Sequence, residues 1–386
     1  MEKSLSNLKK NCTHRCLGHN PPSYIQAKPR FINAHSGFTL IELMLSLALG
    51  LIITAAAILL FLTGQRSLSM QQGVSDIQDN ANFGLNYITQ DIRLTNLNNS
   101  KAIINDETAA AGIVLTSSVN ATLDETTTPA TPLSNLRRSI TGTTANVNLL
   151  SRSSGMTVGA APMWTGVSNV TIDGEETESD QLVIQYTPQY TTTREGTVDY
   201  LVGGFDCEGN ALKFLLEQDT ANPARPFGRQ VVVQRYFLRE DNNRQTNEPN
   251  QALALACDAG YYPVDGSPVS ITNYGDAGEI IMKRVDHFRV LLNVQSDVAE
   301  GRRYISINDY LNLAAPRPRI VSVQLGMLVR SAQSVGTDSA IKNDQEFMVL
   351  DQAIKVKVPE NTNTKYVRQI VSQTIALRNV FGERGQ

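Results

Sequence analysis

Four residues near the amino terminus have side chains of the types that can bind zinc. Cys12 and Cys16 stand in a C-x₃-C spacing, and His14 and His19 lie close to them. Thiolates and imidazoles at such spacings are the usual ligands of structural zinc. The segment is short, contains proline and lies in a basic leader, which favours a removed targeting segment over a metal site. We therefore predict no metal site.

Cys207 and Cys257 are the remaining cysteines of the chain. An isolated pair in an exported protein indicates a disulfide. Closing a loop of about 50 residues would stabilise the fold by about 4 kcal/mol in the chain-entropy model. Two buried free thiols are the alternative.

Residues able to do acid–base or nucleophilic chemistry are scattered. His287 is the single histidine after Gly37, so it cannot build a His-based metal site and is typical of a structural role. The sequence has no G-x-S-x-G, phosphate-binding glycine loop or EF-hand loop. Its many carboxylates form no recognisable pair. We predict a protein that is not an enzyme, with no catalytic residue and no cofactor.

Glu42 stands at the start of a run of 23 uncharged residues, 43–65. A carboxylate there costs a few kcal/mol unless it lies at the membrane interface or finds a partner. It could lie at the headgroup level. Alternatively, a cut after Gly37 would place the new amine of Phe38 one helical turn from Glu42, and an adjacent copy displaced along its axis could pair amine with carboxylate.

The uncharged run predicts a membrane span, because 23 residues form a helix of about 35 Å. Six basic residues precede it and none lies within it, which predicts a cytoplasmic amino terminus and an exported carboxyl-terminal body. A cleavable secretory signal is the alternative, but the run is longer than a usual signal and no good A-x-A site follows.

The charge of the body argues against nucleic acid as a partner. The chain has a net charge of −3, and residues 38–386 hold 28 basic and 36 acidic residues. A body that acidic is a poor general binder of DNA or anionic lipid. Arg302-Arg303 and Arg317-x-Arg319 are small basic spots, so we predict no direct nucleic-acid site.

A family resemblance begins with the hexapeptide Gly37-Phe38-Thr39-Leu40-Ile41-Glu42. Together with the basic leader and the uncharged run, it resembles the class III signal of type IV prepilins and type II secretion pseudopilins. The resemblance implies that prepilin peptidase cuts after Gly37 and methylates Phe38, and that Glu42 guides subunit docking. No proline interrupts 38–65, so the kink of major pilins is not expected.

The helix is predicted to continue beyond the span. Apolar residues recur at spacings of four, four, three and four, which indicates one buried face: Ile77, Ala81, Leu85, Ile88 and Ile92. We expect this face to pack against a globular domain and not to form a free coiled coil. The segment resembles the helix of PilW-type minor pilins and J-type pseudopilins. Its Asp91 and Arg93 could form an ion pair or lie on a solvated face.

The rest of the chain predicts loops followed by strands. Residues 100–165 are rich in Thr, Ser, Asn and Ala, which indicates surface loops and short strands, with Trp164 as an anchor. Strand patterns follow at 181–186, 231–238, 321–329 and 367–377, and 239–256 is predicted as a long connection. In the third strand every second residue from Val321 to Val329 is apolar, which predicts one buried face. We expect an α+β, pilin-like fold in which the long helix packs on a mainly antiparallel sheet.

Taken together, these patterns predict a leader (1–37), a membrane and assembly helix (38–65), its amphipathic continuation (66–98) and a periplasmic head (99–386). SDQLVIQY, FDCEGN, RYFL and TIALRNV resemble successive landmarks of the PilW family. The resemblance implies a minor pilin that initiates pilus assembly at or near the tip and supports twitching, adhesion and DNA uptake. Implied partners are other minor pilins, the major pilin and a PilC/PilY-type tip adhesin. A J-type pseudopilin or a membrane-tethered periplasmic domain is the alternative.

Overall fold

A computed structural model describes residues 37–117, 123–136, 150–154, 166–245, 248–265, 270–295, 301–335, 341–342, 345–357 and 365–380. The leader before Gly37 and Trp164 lie outside the described residues. Residues 60–386 form one compact unit, and the helical residues before Leu60 belong to a separate one.

One long helix and one short helix are present among the described residues, together with a 3-10 turn. Helix α1 spans Leu40–Leu94, and α2 spans Ile307–Leu311, where Ser306 caps the first turn. The 3-10 turn spans Arg378–Val380.

The strands are mostly short in the first half of the chain and longer in the second. The first eight are β1 (Leu123–Asp124), β2 (Thr131–Pro132), β3 (Val170–Ile172), β4 (Glu175–Glu176), β5 (Leu182–Tyr186), β6 (Thr191–Glu195), β7 (Val198–Phe205) and β8 (Ala211–Leu215). The others are β9 (Gln230–Glu240), β10 (Leu253–Pro263), β11 (Glu279–Lys283), β12 (Val285–Gln295), β13 (Arg302–Ser306), β14 (Arg319–Arg330), β15 (Glu346–Val349), β16 (Gln352–Val356) and β17 (Arg368–Ala376).

Two four-stranded antiparallel sheets dominate the unit. The first sheet has the order β11-β10-β9-β5, and the second has the order β13-β12-β14-β17. Smaller sheets have the orders β15-β16-β3-β4 and β6-β7-β8, and β1 pairs with β2. Every strand pair in these sheets is antiparallel, which confirms the predicted α+β class.

The main core lies between α1 and the inner faces of the two large sheets. Ile77, Leu85, Ile88 and Ile92 of α1 pack in one cluster with residues of β5, β9, β10, β12, β14 and β17. Ala81 is buried as well, so all five residues of the predicted apolar face are buried. The helical periodicity therefore identified the packing face correctly.

Two predictions about surfaces are wrong. Within 100–165, Ile104, Ile113 and Leu115 are fully buried in the main core, so this segment is not simply surface. Strand β14 is buried on both faces, because Leu328 packs with Val349 and Ile354 under the sheet formed by β15, β16, β3 and β4. The alternating pattern identified the first face but not the cover on the second.

The predicted connection 239–256 is shorter than expected. Strand β9 continues to Glu240, and β10 already begins at Leu253. The final segment, LALA, pairs with β9 in register, with Leu253 opposite Glu240 and Leu255 opposite Leu238. Alanine has low β-propensity, and here burial between neighbouring strands overrides it.

Candidate assembly site

The amino end of α1 brings together the residues of the predicted processing and docking site. Gly37 and Phe38 lie just before the helix, and Phe38 is 82 % exposed. Nothing lies within 4 Å of the position where a Cβ would stand on Gly37. A peptide bond with this accessibility is one that a protease can reach.

Glu42 forms a reciprocal cap with Thr39. The Thr39 backbone N–H and hydroxyl donate to Glu42 Oε2 at 3.1 and 3.0 Å, and the Glu42 backbone N–H donates to Thr39 Oγ1 at 3.3 Å. This is a capping box, which satisfies two backbone donors that the first helical turn would otherwise leave unpaired. Sequence analysis missed this role, although the T-x-x-E spacing before an apolar run signals it.

The residues after Glu42 form an apolar surface. The large apolar residues of this stretch are exposed: Leu43, Met44, Leu45, Leu47, Leu49, Leu51, Ile52, Ile53, Ile58, Leu59, Leu60, Phe61 and Leu62. Among the described residues, α1 is the one helix that is long and apolar enough to cross a membrane. Its exposed side chains need an apolar environment that the described chain does not provide.

Polar groups on the later turns of α1 contact the head. The Tyr87 hydroxyl donates to the Cys207 carbonyl oxygen at 2.9 Å, and the Tyr236 hydroxyl donates to Asp91 Oδ2 at 2.8 Å. Burial raises the pKa of Asp91 to about 6, against the lowering effect of the Tyr236 hydrogen bond. Asp91 therefore interacts with a tyrosine and not with Arg93, whereas Arg93 lies on the exposed face of the helix.

The two cysteines of the head form the predicted disulfide. Cys207 follows β7 and Cys257 lies in β10, with their Cα atoms 6.1 Å apart. Both are buried in the main core. The bond ties the turn that accepts the Tyr87 hydrogen bond to the first large sheet, so it supports the contact between α1 and the head.

Three carboxylates lie next to this disulfide. Oxygens of Glu208, Asp258 and Asp276 lie within 4.8 Å of one another, a spacing that could hold a metal ion. Burial and the carboxylates of Asp276 and Asp258 raise the pKa of Glu208 to about 7. Arg235 Nη2 lies 2.8 Å from Asp258 Oδ2 and already neutralises that carboxylate.

A buried ion cluster joins the two large sheets. Its members are Asp241, Glu248, Arg284, Asp286, Arg330 and Arg368. Glu248 lies at its centre: it contacts Arg330 and accepts from Arg284 Nη2 at 2.9 Å. Its three positive and three negative charges balance, as burial of charge requires.

His287 is a structural residue of β12. It is fully buried, and its Nε2 lies 3.0 Å from Gln352 Oε1. Burial lowers the pKa of His287 to about 4, against the raising effect of that hydrogen bond. The ring therefore stays neutral at physiological pH and fixes the β15–β16 turn against the second sheet.

The predicted basic spots differ in their surroundings. Arg317 contacts the buried Asp106 and donates to the Leu311 carbonyl oxygen at 2.7 Å. Arg302 and Arg303 lie exposed on β13, beside a cavity of about 460 Å³.

Comparisons with known proteins match both ends of this arrangement. A family described as type IV pilus-assembly protein W matches residues 235–379, and the prokaryotic N-terminal methylation motif matches residues 32–58. Residues 235–379 are therefore similar to the PilW family, and the amino end of α1 is similar to the methylation motif of pilins. The predicted resemblance to that family is thereby confirmed, and the methylation motif coincides with the amino-terminal part of the apolar helix α1.

One solved structure with similarity to this chain is a type IV-like pilin from Thermus thermophilus. It is 12 % identical, the match covers 56 % of this chain and 85 % of that chain, and the TM-score is 0.20. The search among curated proteins found no match. The fold assignment rests on the chain's own helix and sheets.

Proposed function

We propose that this protein is a minor pilin of the PilW family that takes part in initiating type IV pilus assembly and lies at or near the pilus tip. The observation that supports this best is the order of features at the start of α1: an accessible Gly37-Phe38 bond, a capped Glu42, and an exposed apolar helix without charge. These features are expected of a subunit whose exposed apolar helix packs against other subunits.

In this proposal, prepilin peptidase cuts after Gly37 and methylates Phe38. The processed protein spans the inner membrane once, with residues 66–98 and the head (99–386) in the periplasm, and later enters the surface pilus. Glu42 accepts a charged hydrogen bond from the terminal amine of an adjacent subunit. The partners of the protein are other minor pilins, the major pilin and a PilC/PilY-type adhesin. Together with them, the protein supports twitching, adhesion and DNA uptake. The protein is structural and has no catalytic role.

The capping box allows a sharp test of the Glu42 charge. Glu42→Gln keeps a side chain that can complete the box, because glutamine also serves at this position, but it removes the charge. Thr39→Ala removes the box and keeps the charge. If Glu42 pairs with an amine of another subunit, Glu42→Gln should abolish incorporation into pili, whereas Thr39→Ala should retain it.

Two measurements complete the test. Mass spectrometry of the membrane-extracted protein should show an N-methylated Phe38 terminus in every variant, and no such terminus in cells without the peptidase. Immunoblots of sheared pili should then score incorporation. Normal incorporation of the Glu42→Gln variant into pili would mean that Glu42 acts only as a helix cap. An intact leader, or a terminus beyond residue 62, would favour the tethered domain or a secretory signal.

A further inference from the structure

The two large sheets protect most of their edges. Strand β13 carries Arg302 and Arg303, and β11 begins at Glu279 and ends at Lys283. Strand β5 is covered on its outer side by a bridge between Ile113 and Ile184. Charged, short or covered edges are the usual means by which proteins prevent pairing with other chains.

Strand β17 is different, because no described strand or bridge covers its outer edge. It spans nine residues and pairs with β14 in unbroken register, and no other described strand pairs with it. Residues 369–376 contain no charge, proline or glycine. An edge of this kind is a template for a further strand.

The register shows which backbone groups of β17 point away from β14. Leu377 N–H donates to the Val321 carbonyl oxygen at 3.0 Å, and Ser331 N–H donates to the Val367 carbonyl oxygen at 2.9 Å. Hydrogen-bonded pairs alternate in an antiparallel ladder, so odd-numbered residues of β17 bond to β14. The N–H and C=O groups of the even-numbered residues therefore point away from the sheet, and four of these residues lie in the uncharged stretch: Ile370, Ser372, Thr374 and Ala376.

The side chains of this edge are suited to pairing. These four residues are exposed, whereas Ile375 is buried and Val371 is half-buried against the main core. A further strand would therefore satisfy four residues' backbone groups and extend the core past Val371.

The sequence of β17 points to a second copy of the same chain. Residues 370–376 read Ile-Val-Ser-Gln-Thr-Ile-Ala, which is symmetric in chemistry about Gln373. In an antiparallel pair centred there, Ile370 would face Ala376, Ser372 would face Thr374, and Val371 would face Ile375. We infer that β17 is a homodimerisation edge, through which two copies join their second sheets by about eight backbone hydrogen bonds. This goes beyond the proposed role in pilus assembly.

The first test is the mass of the detergent-solubilised full-length protein by light scattering over a concentration series. The expected result is a dimer whose dissociation constant rises at least tenfold in Ser372→Lys and in Thr374→Glu, where charge enters an uncharged edge. The double variant Ser372→Lys/Thr374→Glu should return to within threefold of the original, because position 372 faces position 374 of the other copy. Both positions are exposed, and thermal unfolding of each variant checks that the head is intact.

A cross-link tests the register. With Cys12 and Cys16 changed to serine, Gln373→Cys should form a disulfide-linked dimer under mild oxidation, because residues at the two-fold axis would lie in a non-hydrogen-bonded pair with short Cα separation. Tyr304→Cys, exposed on the opposite edge strand β13, is the matched control. A monomeric protein at all concentrations, unchanged association in Ser372→Lys, or equal cross-linking at position 304 would overturn the inference.

Discussion

The two ends of α1 share one backbone geometry but have opposite surroundings. The apolar residues of α1 before Phe61 are exposed, whereas Ile77, Ile88 and Ile92 are almost completely buried in the head. The later turns find their apolar partners within the chain. The earlier turns find none among the described residues, and a membrane or other subunits would supply them.

Two carboxylates show the same difference between exposed and buried surroundings. Glu42 is exposed and hydrogen-bonded to its neighbour Thr39, and Glu248 is fully buried between two arginines. Removal of Glu248 would disturb the fold itself. Removal of the Glu42 charge would leave the head unchanged and affect contacts outside the chain.

The largest stability effect is expected from Glu248→Gln. The change leaves Arg284 and Arg330 buried with one fewer negative charge, which should lower the free energy of unfolding by about 3–5 kcal/mol. Urea denaturation of the detergent-solubilised protein, followed by circular dichroism, measures this. Glu42→Gln is the control and should leave the unfolding midpoint of the head unchanged. Equal midpoints for the two variants would contradict the assigned role of the ion cluster.

Two isoleucines of the same helix sharpen the comparison. Ile88→Ala should lower the free energy of unfolding by about 2–5 kcal/mol, because it opens a cavity in the core between α1 and the sheets. Ile52→Ala removes the same atoms from an exposed position and should change the free energy of unfolding by no more than about 0.5 kcal/mol. The same denaturation experiment compares them. A similar loss of stability in both variants would mean that the early turns pack against the head.

Sequence reasoning predicted the features that have a local signal. The apolar stripe of α1 was correct at each of its five positions, and the strand patterns at 181–186, 231–238, 321–329 and 367–377 correspond to β5, β9, β14 and β17. Periodicity and β-branched residues report directly on local backbone structure. The disulfide was also found, because the head contains only one pair of cysteines.

What sequence reasoning missed depends on contacts between distant residues. Arg284 and Glu248 are unremarkable surface residues when read locally, and only the folding of the loop after β9 against β12 brings them together. Likewise, Asn135 is polar and lies in a loop, yet it is buried and accepts from the backbone N–H of Leu115 at 2.8 Å. A polar residue becomes a core residue when its partners are supplied by tertiary structure.

The smallest effect is expected at Asp91, on the buried part of α1. Its pKa of about 6 in the folded protein exceeds the ordinary value of 3.8, so proton binding favours the folded state. The stability contributed by the proton is present at low pH and is lost as the pH rises from about 4 to about 6. Above that range, the charged Asp91 lowers stability.

Asp91→Asn removes this charge and keeps an oxygen that can accept from the Tyr236 hydroxyl. The variant should therefore be more stable than the original above pH 6, by on the order of 1 kcal/mol, and the difference should shrink toward pH 4. Thermal unfolding at pH 4, 5, 6 and 7 measures this. Because Glu42 lies on the exposed part of the same helix, Glu42→Gln should show no such dependence in the unfolding of the head. A difference at Asp91 that is independent of pH would mean that the hydrogen bond, and not the buried charge, determines the effect.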